Sequence, residues 1–370
     1  MTFKSGQFVF SRLYDRQTLD RLFLEARVLK ETVADLPVLP WLASKLEEEA
    51  IRRSIHSTAA LEGNPLSEEQ VGDVLSEDDQ QKTASQSEVE IHNLKLAYHV
   101  CKSLLIKGPY RLLDEDLISD FHKFITINIE HPHNRPGSYR DHLVKVGDKE
   151  HGGVYTPPKI RADIETLMKE FIAWINGEEL LAEEPVVRAA LAHFHLAKIH
   201  PFSDGNGRTA RLVEALCLQA HGLGHVPAML SNYYYRHPDD YYWAFSRSER
   251  NPEHDVTPFI QFVLRAFIAA LYDIKDRMTS AIRQFALREH VARLRQAKEL
   301  TQRQLSLLTL LLDSGQDFSL PDLFRDPKLA IIYRDVSERT ARRDLERLLR
   351  LRLLKEQGPA RYRLDDKALG

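Results

Sequence analysis

The run from Pro185 to Ile199 leaves little polar surface. Val186, Val187, Ala189, Ala190, Leu191, Phe194, Leu196 and Ala197 predict a helix buried on most sides. Helical spacing returns from Arg208 to Gln219, where Gly222 and Gly224 supply a stop. The two helices are joined by His200-Pro201-Phe202-Ser203-Asp204-Gly205-Asn206-Gly207-Arg208, a loop that ends at the N-terminus of the second helix.

A loop of this composition, opening onto a helix, suits a nucleotide phosphate. Gly205 and Gly207, flanking Asn206, let backbone N–H groups approach an anion without a Cβ in the way, and the helix adds the positive end of its dipole. Asp204 offers a hard oxygen to Mg²⁺, which prefers one or two carboxylates plus substrate phosphates. Arg208 and Arg211 share one face of the first helical turn and can clamp phosphate oxygens. His200 titrates near neutrality and is the candidate general base, while Pro201 and Phe202 anchor and stiffen the loop. Singly, each residue has a plain structural explanation: a lone histidine is more often structural than catalytic, and Gly-Asn-Gly is often only a turn. Their conjunction points to chemistry. Gly205-x-Gly207-x-x-Ala210 also fits a loose dinucleotide fingerprint, but a helix precedes it where a strand is required.

The run resembles the signature of the Fic family, His-x-Phe-x-Asp/Glu-Gly-Asn-Gly-Arg-x-x-Arg, at every fixed position. The resemblance implies a mainly α fold with an all-helical core and a small β-hairpin flap. It implies transfer of AMP from ATP to a Ser, Thr or Tyr hydroxyl of a protein target, with pyrophosphate leaving. Gly205, Asn206, Gly207, Arg208 and Arg211 would then hold ATP, Asp204 the Mg²⁺, and His200 would take the hydroxyl proton. No Walker A sequence and no kinase Gly-rich loop with its companion motifs occurs, which argues against γ-phosphoryl transfer of those classes. Two other readings stay open: a nucleotide-sensing, DNA-binding transcriptional regulator, and an enzyme that removes AMP with Glu62 orienting water.

Of 370 residues, 43% are apolar and 28% charged, ordinary for a soluble globular protein of two or three domains. A net charge of −3 predicts no general attraction to nucleic acid or membrane. With only Cys101 and Cys217, neither a disulfide framework nor a Cys-based zinc site is expected. Met1-Thr2-Phe3-Lys4 lacks a signal-peptide apolar region, and no uncharged apolar run reaches about 18 residues. A cytoplasmic protein with no membrane partner is the expectation.

Toward the N-terminus, Leu19 to Val33 and Trp41 to Ile55 have helical spacing and are separated by Pro37 and Pro40. Gly63 and Pro65 then end a helix, Ser67 can cap the next, and Glu62 sits at the terminus, where a carboxylate is mildly unfavourable against the dipole. By spacing alone, Glu62 is a surface residue beside a turn. Thr58-x-x-x-Glu62-Gly63, however, resembles the Ser/Thr-x-x-x-Glu-Gly/Asn motif of the Fic inhibitory helix. The resemblance pairs Glu62 with Arg211, so that a carboxylate takes the place of the γ-phosphate and ATP binds unproductively.

Helices are expected over Ser67–Leu75, Ser87–Ile106 and Asp114–Ile127. Val144-Lys145-Val146-Gly147 and Gly153-Val154-Tyr155-Thr156 read as a short hairpin closed by Pro157-Pro158. With Gly137-x-x-Arg140 it resembles the Fic flap, onto which a target peptide docks by strand addition; Val154 and Tyr155 are assigned to the ATP side. His131-x-His133 and His193-x-His195 lack a carboxylate or Cys partner at metal-ligand spacing and read as structural or solvent-facing. After an amphipathic helix, Ile160–Ile175, and the central pair, an aromatic cluster follows at Tyr233–Tyr235 and Tyr241–Tyr242. The resemblance places Tyr241 or Tyr242 at adenine, with Asn251 a weaker candidate.

Pro258–Leu271 should close the core, and the charged Tyr272–Leu300 should form a connecting stalk. The tail reads as a winged helix-turn-helix. Gln302–Leu312 and Leu320–Leu323 are its first helices, Ser337 caps Glu338–Leu351, and Gly358 with Tyr362-Arg363-Leu364 forms the wing. From residue 301 onward, fourteen Lys and Arg oppose eleven Asp and Glu. Arg339, Arg342, Arg343, Arg347 and Arg350 lie along one helix, suited to DNA phosphates or to docking a protein. The implied division is a helical region with the inhibitory helix over 1–110, the catalytic core over 111–275, a connecting helix over 276–300 and the winged helix over 301–370. A homodimer is an open assembly, and the target protein is not identified by these residues.

Overall fold

The computed structural model describes residues 2–3, 6–37, 40–76, 85–106, 112–219, 230–358 and 360–365. It is mainly helical, and the chain divides into two compact units: Met1–Asp35 with Leu39–Ile274, and Leu36–Val38 with Lys275–Gly370.

The first unit opens with a two-stranded pair, β1 (Thr2–Phe3) and β2 (Gly6–Gln7). There follow α1 (Arg16–Ala34), α2 (Pro40–Ala60), α3 (Glu68–Ser76), α4 (Gln86–Ile106), α5 (Glu115–Thr126), α6 (Arg161–Ile175), α7 (Glu178–Leu181), α8 (Pro185–Ile199), α9 (Asn206–Gln219), α10 (Leu230–Arg236), α11 (Pro238–Glu249) and the start of α12 (Thr257–Gln296). α8 is the centre, as its all-round apolar surface requires: Val187, Ala190 and Leu191 are fully buried. α9 packs along it, α6 packs on α8, and α2, α4 and α5 pack on α9. Local signals set the helix starts. Asp114 accepts from the Leu117 N–H (2.7 Å), and Ser67 and Gln70 exchange the reciprocal bonds of a capping box (3.2 and 2.9 Å). Gly222 and Gly224, expected to stop α9, lie outside the described residues.

Two expectations change. The hairpin contains a single antiparallel pair, Val146 with Tyr155, joined by bonds of 3.0 and 2.9 Å. Gly147, Gly152 and Gly153 have φ of 90°, 94° and 96°, outside extended backbone, so the ladder cannot lengthen. The expected core helix and stalk, Pro258–Leu271 and Tyr272–Leu300, are largely one helix, α12. Composition changes there from apolar to charged, but no Gly or Pro interrupts it. By length and composition α12 could cross a membrane; its apolar residues Ile260, Val263, Leu264, Phe267 and Leu271 are instead buried in the protein.

The second unit continues from α12 into α13 (Gln302–Ser314), β3 (Phe318–Ser319), α14 (Asp322–Arg325), α15 (Pro327–Tyr333), α16 (Glu338–Arg350), β4 (Leu354–Glu356) and β5 (Arg361–Leu364). The strands form an antiparallel sheet in the order β3-β5-β4, with Phe318 opposite Tyr362 and Leu354 opposite Leu364. The supposed stalk contributes Leu287, Val291 and Leu300 to this unit's core, beside Leu307, Leu345 and Leu348. α15 was missed because its seven residues are too few for a helical period to show. On α16, Arg339, Arg342, Arg343 and Arg350 are exposed. Arg347 turns inward, its Nε donating to the Glu299 carbonyl at 3.0 Å.

Candidate active site

The loop between α8 and α9 is held from three sides. His200 ends α8 in the left-handed region, at φ 51° and ψ 58°, where a non-glycine residue needs external support. Arg140 supplies it. Its Nε donates to the His200 carbonyl (2.8 Å), Nη1 to His142 O (2.8 Å) and Nη2 to Pro158 O (2.6 Å). Burial pulls this guanidinium down to about 10, and among the described residues its acceptors are these three neutral carbonyls. Each buried carbonyl left unpaired costs about 1–3 kcal/mol, so Arg140→Leu should lower the unfolding free energy by at least about 3 kcal/mol. The urea midpoint reads the change; a loss below about 1 kcal/mol would mean water replaces the guanidinium.

On the second side, His122 from α5 stacks on Phe202 with ring centroids 3.7 Å apart and planes at 4°. Its Nε2 donates to Asp204 O (3.0 Å), while Nδ1 accepts from the Gly137 N–H (2.9 Å). These bonds need the neutral ring, and burial holds its pKa at about 4. On the third side, Asn206 bonds the Phe202 N–H and carbonyl through its own side-chain amide, both at 2.9 Å. The Asn206 side chain, expected at ATP, thus braces the loop.

What the loop presents is suited to an anion. The α9 ladder opens at Thr209, whose N–H donates to Gly205 O (2.9 Å), so the N–H groups of Asn206, Gly207 and Arg208 precede it. Arg208 is 3% exposed, yet its Nε and Nη1 have no hydrogen-bond partner among the described residues. Its Nη2 donates to Asp204 Oδ2 (2.8 Å), and Glu90 lies 3.8 Å away. Burial would raise the Asp204 carboxyl, but Arg208 and the Gly205 N–H outweigh it and hold the pKa below the usual carboxylate range. The side chain of Asp204 remains 31% exposed, so a free oxygen could serve a cation that takes its other ligands from phosphates and water.

The His200 ring sits beside these groups. Nδ1 is 3.3 Å from Ala197 O; a carbonyl only accepts, so Nδ1 carries the proton and Nε2 keeps its lone pair. Burial, opposed in part by the Ala197 carbonyl, holds the ring at about 4, and the Arg140 charge also lowers it. At neutral pH the ring is therefore the uncharged imidazole that a general base requires.

Glu62 reaches the same place from α2. Asn64 N donates to Ala59 O (3.1 Å) and Gly63 N to Ala60 O (3.0 Å), with Gly63 at φ 90°. This is the double bond pattern that closes a helix with glycine in the left-handed position, and it fixes Glu62 as the capping residue. Its Oε1 accepts from Arg211 Nη2 at 2.7 Å; Arg211 also donates Nε to Thr58 Oγ1 (2.7 Å) and Nη2 to Thr58 O (3.2 Å). Burial alone would lower the Arg211 pKa, but Glu62 overrides it and raises it. A side chain at Gly207 would run into the Glu62 carboxylate and the Arg211 guanidinium. The carboxylate thus lies directly over the loop.

Between the hairpin and α11 is a cavity of about 290 Å³ lined by Val146, Tyr155, Tyr242, Phe245, Ser246 and Glu249 among others. The two candidate tyrosines separate here. Tyr242 lines the cavity, whereas Tyr241 is buried, stacked on Tyr234 at 5.1 Å and bonded to His193 Nε2 at 3.0 Å. His193 Nδ1 in turn meets Glu214 Oε1 at 3.1 Å. Val154 is exposed, and neither it nor Asn251 lines the cavity. Sequence reasoning missed His122, Glu214 and Glu249; the aromatic, acidic and helical patterns around them carry no mark of their partners.

Residues 112–218 match the model of the Fic/DOC family. Two similar curated proteins are named protein adenylyltransferase Fic. That of Culex quinquefasciatus is 29% identical over 59% of this chain and 40% of its own length. That of Nematostella vectensis is 33% identical over 48% and 37%. The chain thus spans well under half of these relatives. A Fic family protein from Desulfovibrio desulfuricans G20 superposes with a TM-score of 0.57 at 21% identity, covering 98% of both chains. Fic-1 (residues 134–508) from C. elegans gives 0.55 at 23%, covering 70% and 72%. The loop, the helix it opens onto and the family match coincide on one segment, residues 112–218, which is similar to the Fic/DOC domain.

Proposed function

We propose that the protein transfers AMP from ATP to a Ser, Thr or Tyr hydroxyl of a protein target. The observation that carries this is Arg208, a buried guanidinium whose Nε and Nη1 make no hydrogen bond among the described residues, beside the opening turn of α9 and a neutral imidazole, with Glu90 3.8 Å from Nη1. In this reading the N–H groups of Gly205, Asn206 and Gly207 and the two arginines bind the phosphates, and the cavity beside Tyr242 and Tyr155 takes the adenine ring. His200 Nε2 removes the hydroxyl proton, the oxygen bonds to the α-phosphorus, and the bond to pyrophosphate breaks. Asp204 fits a Mg²⁺ ion bound with the nucleotide, which would supply charge neutralisation for the departing pyrophosphate. Glu62 restrains the reaction by occupying Arg211. A cytoplasmic setting agrees with Cys101 and Cys217 both being buried thiols rather than a disulfide, with burial pushing Cys101 up to about 12 and Cys217 to about 11. The test is incubation of the Glu62→Gly variant with Mg²⁺ and ATP labelled at the α- or the γ-phosphate. Protein should acquire the α label and not the γ; retention of γ label, or of neither, overturns the reading.

We further propose that the second unit is a winged helix-turn-helix that contacts DNA phosphates through α16. The exposed Arg339, Arg342, Arg343 and Arg350 support this, although Arg342 also pairs with Glu338 at 2.7 Å. Binding of duplex DNA should weaken with salt, and Arg339→Ala with Arg343→Ala should reduce the log–log slope by about 2. An unchanged slope, or no binding at low salt, leaves a protein-docking role.

A further inference from the structure

One wall of the cavity beside Tyr242 carries a histidine that takes no part in the transfer chemistry. His151 lies in the loop of the Val146–Tyr155 hairpin, its side chain 15% exposed. Its Nδ1 is 2.9 Å from both oxygens of Asp148 on the same turn, and its Nε2 is 3.1 Å from Oδ1 of Asp239 in the first turn of α11. Ionised carboxylates only accept hydrogen bonds. Both contacts are therefore satisfied together only when both ring nitrogens carry protons, that is, by the imidazolium. Asp148 from the loop and Asp239 from α11 are, among the described residues, the charged groups that act on the ring. The Tyr242 and Trp243 rings pack 5.3 and 6.3 Å from it, and burial raises the Tyr242 hydroxyl pKa, leaving that group neutral.

The hairpin and α11 are in close contact for an independent reason. Gly152 and Gly153 have positive φ, and a Cβ on them would meet Ser246 Oγ and the Arg250 guanidinium respectively. Backbone thus lies directly on α11, and the cavity is enclosed between the two elements. Resting on the nucleotide reading of that cavity, we propose that His151 is a positioning residue: a proton-dependent latch that ties the hairpin to α11 and keeps the base cavity closed.

Loss of one proton breaks a particular tie. Asp148 also accepts the His151 backbone N–H at 2.8 Å, which keeps it beside Nδ1. The remaining ring proton therefore stays with Asp148, and the Nε2 lone pair is left facing the Asp239 carboxylate. The hairpin loses its link to α11. The Asp148 carboxylate, and Asp239 behind it, raise the ring's pKa above its ordinary value. The latch is accordingly complete below about pH 6.5 and lost as the pH rises through that raised value.

The experiment compares ATP affinity of Glu62→Gly with that of Glu62→Gly/His151→Gln, at about pH 6 and about pH 9. Taking the ratio of the two variants cancels the titration of ATP itself. The double variant should bind about two- to fivefold more weakly at the lower pH and equally at the higher. A ratio of one at the lower pH, or the same ratio at both, overturns the latch. The His151 ring titration, followed by NMR, separates this proposal from the one beneath it. Its midpoint should fall in Asp239→Asn, and an unchanged midpoint overturns the latch even if ATP binds. A lowered midpoint in a protein that binds no ATP leaves the latch standing as a hairpin contact and removes the nucleotide reading.

Discussion

His200→Ala should lower AMP transfer by about 10²–10⁴-fold, the range over which a positioned general base contributes, while ATP affinity changes little. The structure separates the two effects. The groups available to the phosphates are the opening N–H groups of α9, Arg208 and Arg211, and none depends on the imidazole. The loop backbone is held by Arg140 through the His200 carbonyl, which alanine keeps. Alanine does occupy the left-handed conformation at this position, φ 51°, less readily than histidine. His200→Asn, which tolerates that backbone but cannot act as a base, therefore controls for loop distortion. Both variants should bind Mg–ATP and fail to label protein. Undiminished labelling by either would remove His200 from the chemistry. A loss of ATP binding in alanine but not asparagine would show that loop geometry, not the base, had been lost.

Glu62→Gly should raise transfer by about tenfold or more. The Glu62–Arg211 contact is short, 2.7 Å, with Arg211 2% and Glu62 31% exposed. A hydrogen bond between charged groups in such a setting is worth roughly 1.5–3 kcal/mol, equivalent to about 10- to 150-fold in the competition between carboxylate and phosphate. Arg211 would not collapse into the vacated space, because Thr58 still accepts from Nε and Nη2. Glycine also leaves a buried cation without its partner. The free variant should thus melt below the parent protein and recover more on adding Mg–ATP, since a ligand that binds only the folded state stabilises it. Glu62→Gln, which keeps the shape and loses the charge, should fall between the two. If transfer and ATP affinity both stay at the parent level in Glu62→Gly, the carboxylate is not the restraint.

Much of the central machinery was legible because it is local. Asp204 and Arg208 are four residues apart, Gly205 and Gly207 frame the turn, and the apolar surface of Pro185–Ile199 requires burial whatever surrounds it. Glu62 was a different matter. Its distance from Arg211 in the chain, 149 residues, hides the contact from periodicity, and only likeness to a known motif linked the two. Where the reading of local pattern went astray, pattern was indifferent to context. The change from apolar to charged composition near Tyr272 marked a change of surroundings, not a break in α12. The alternation at Val146 and Tyr155 could not extend past glycines that leave the extended region.

By itself the sequence determined the loop, its helix and the chemical types it offers, since these rest on spacing, chirality and the freedom of glycine over a few neighbouring residues. Tertiary structure alone decided which of those groups remain free. It turned Asn206 back onto Phe202, sent Tyr241 into the core and Tyr242 to the cavity, and brought His122 and Arg140 in to hold the loop. It also set His151 against an aspartate 88 residues away. The physical reason is common to all of these. A side chain's burial, charge and open valence depend on partners distant in the chain, and only packing settles which partners meet.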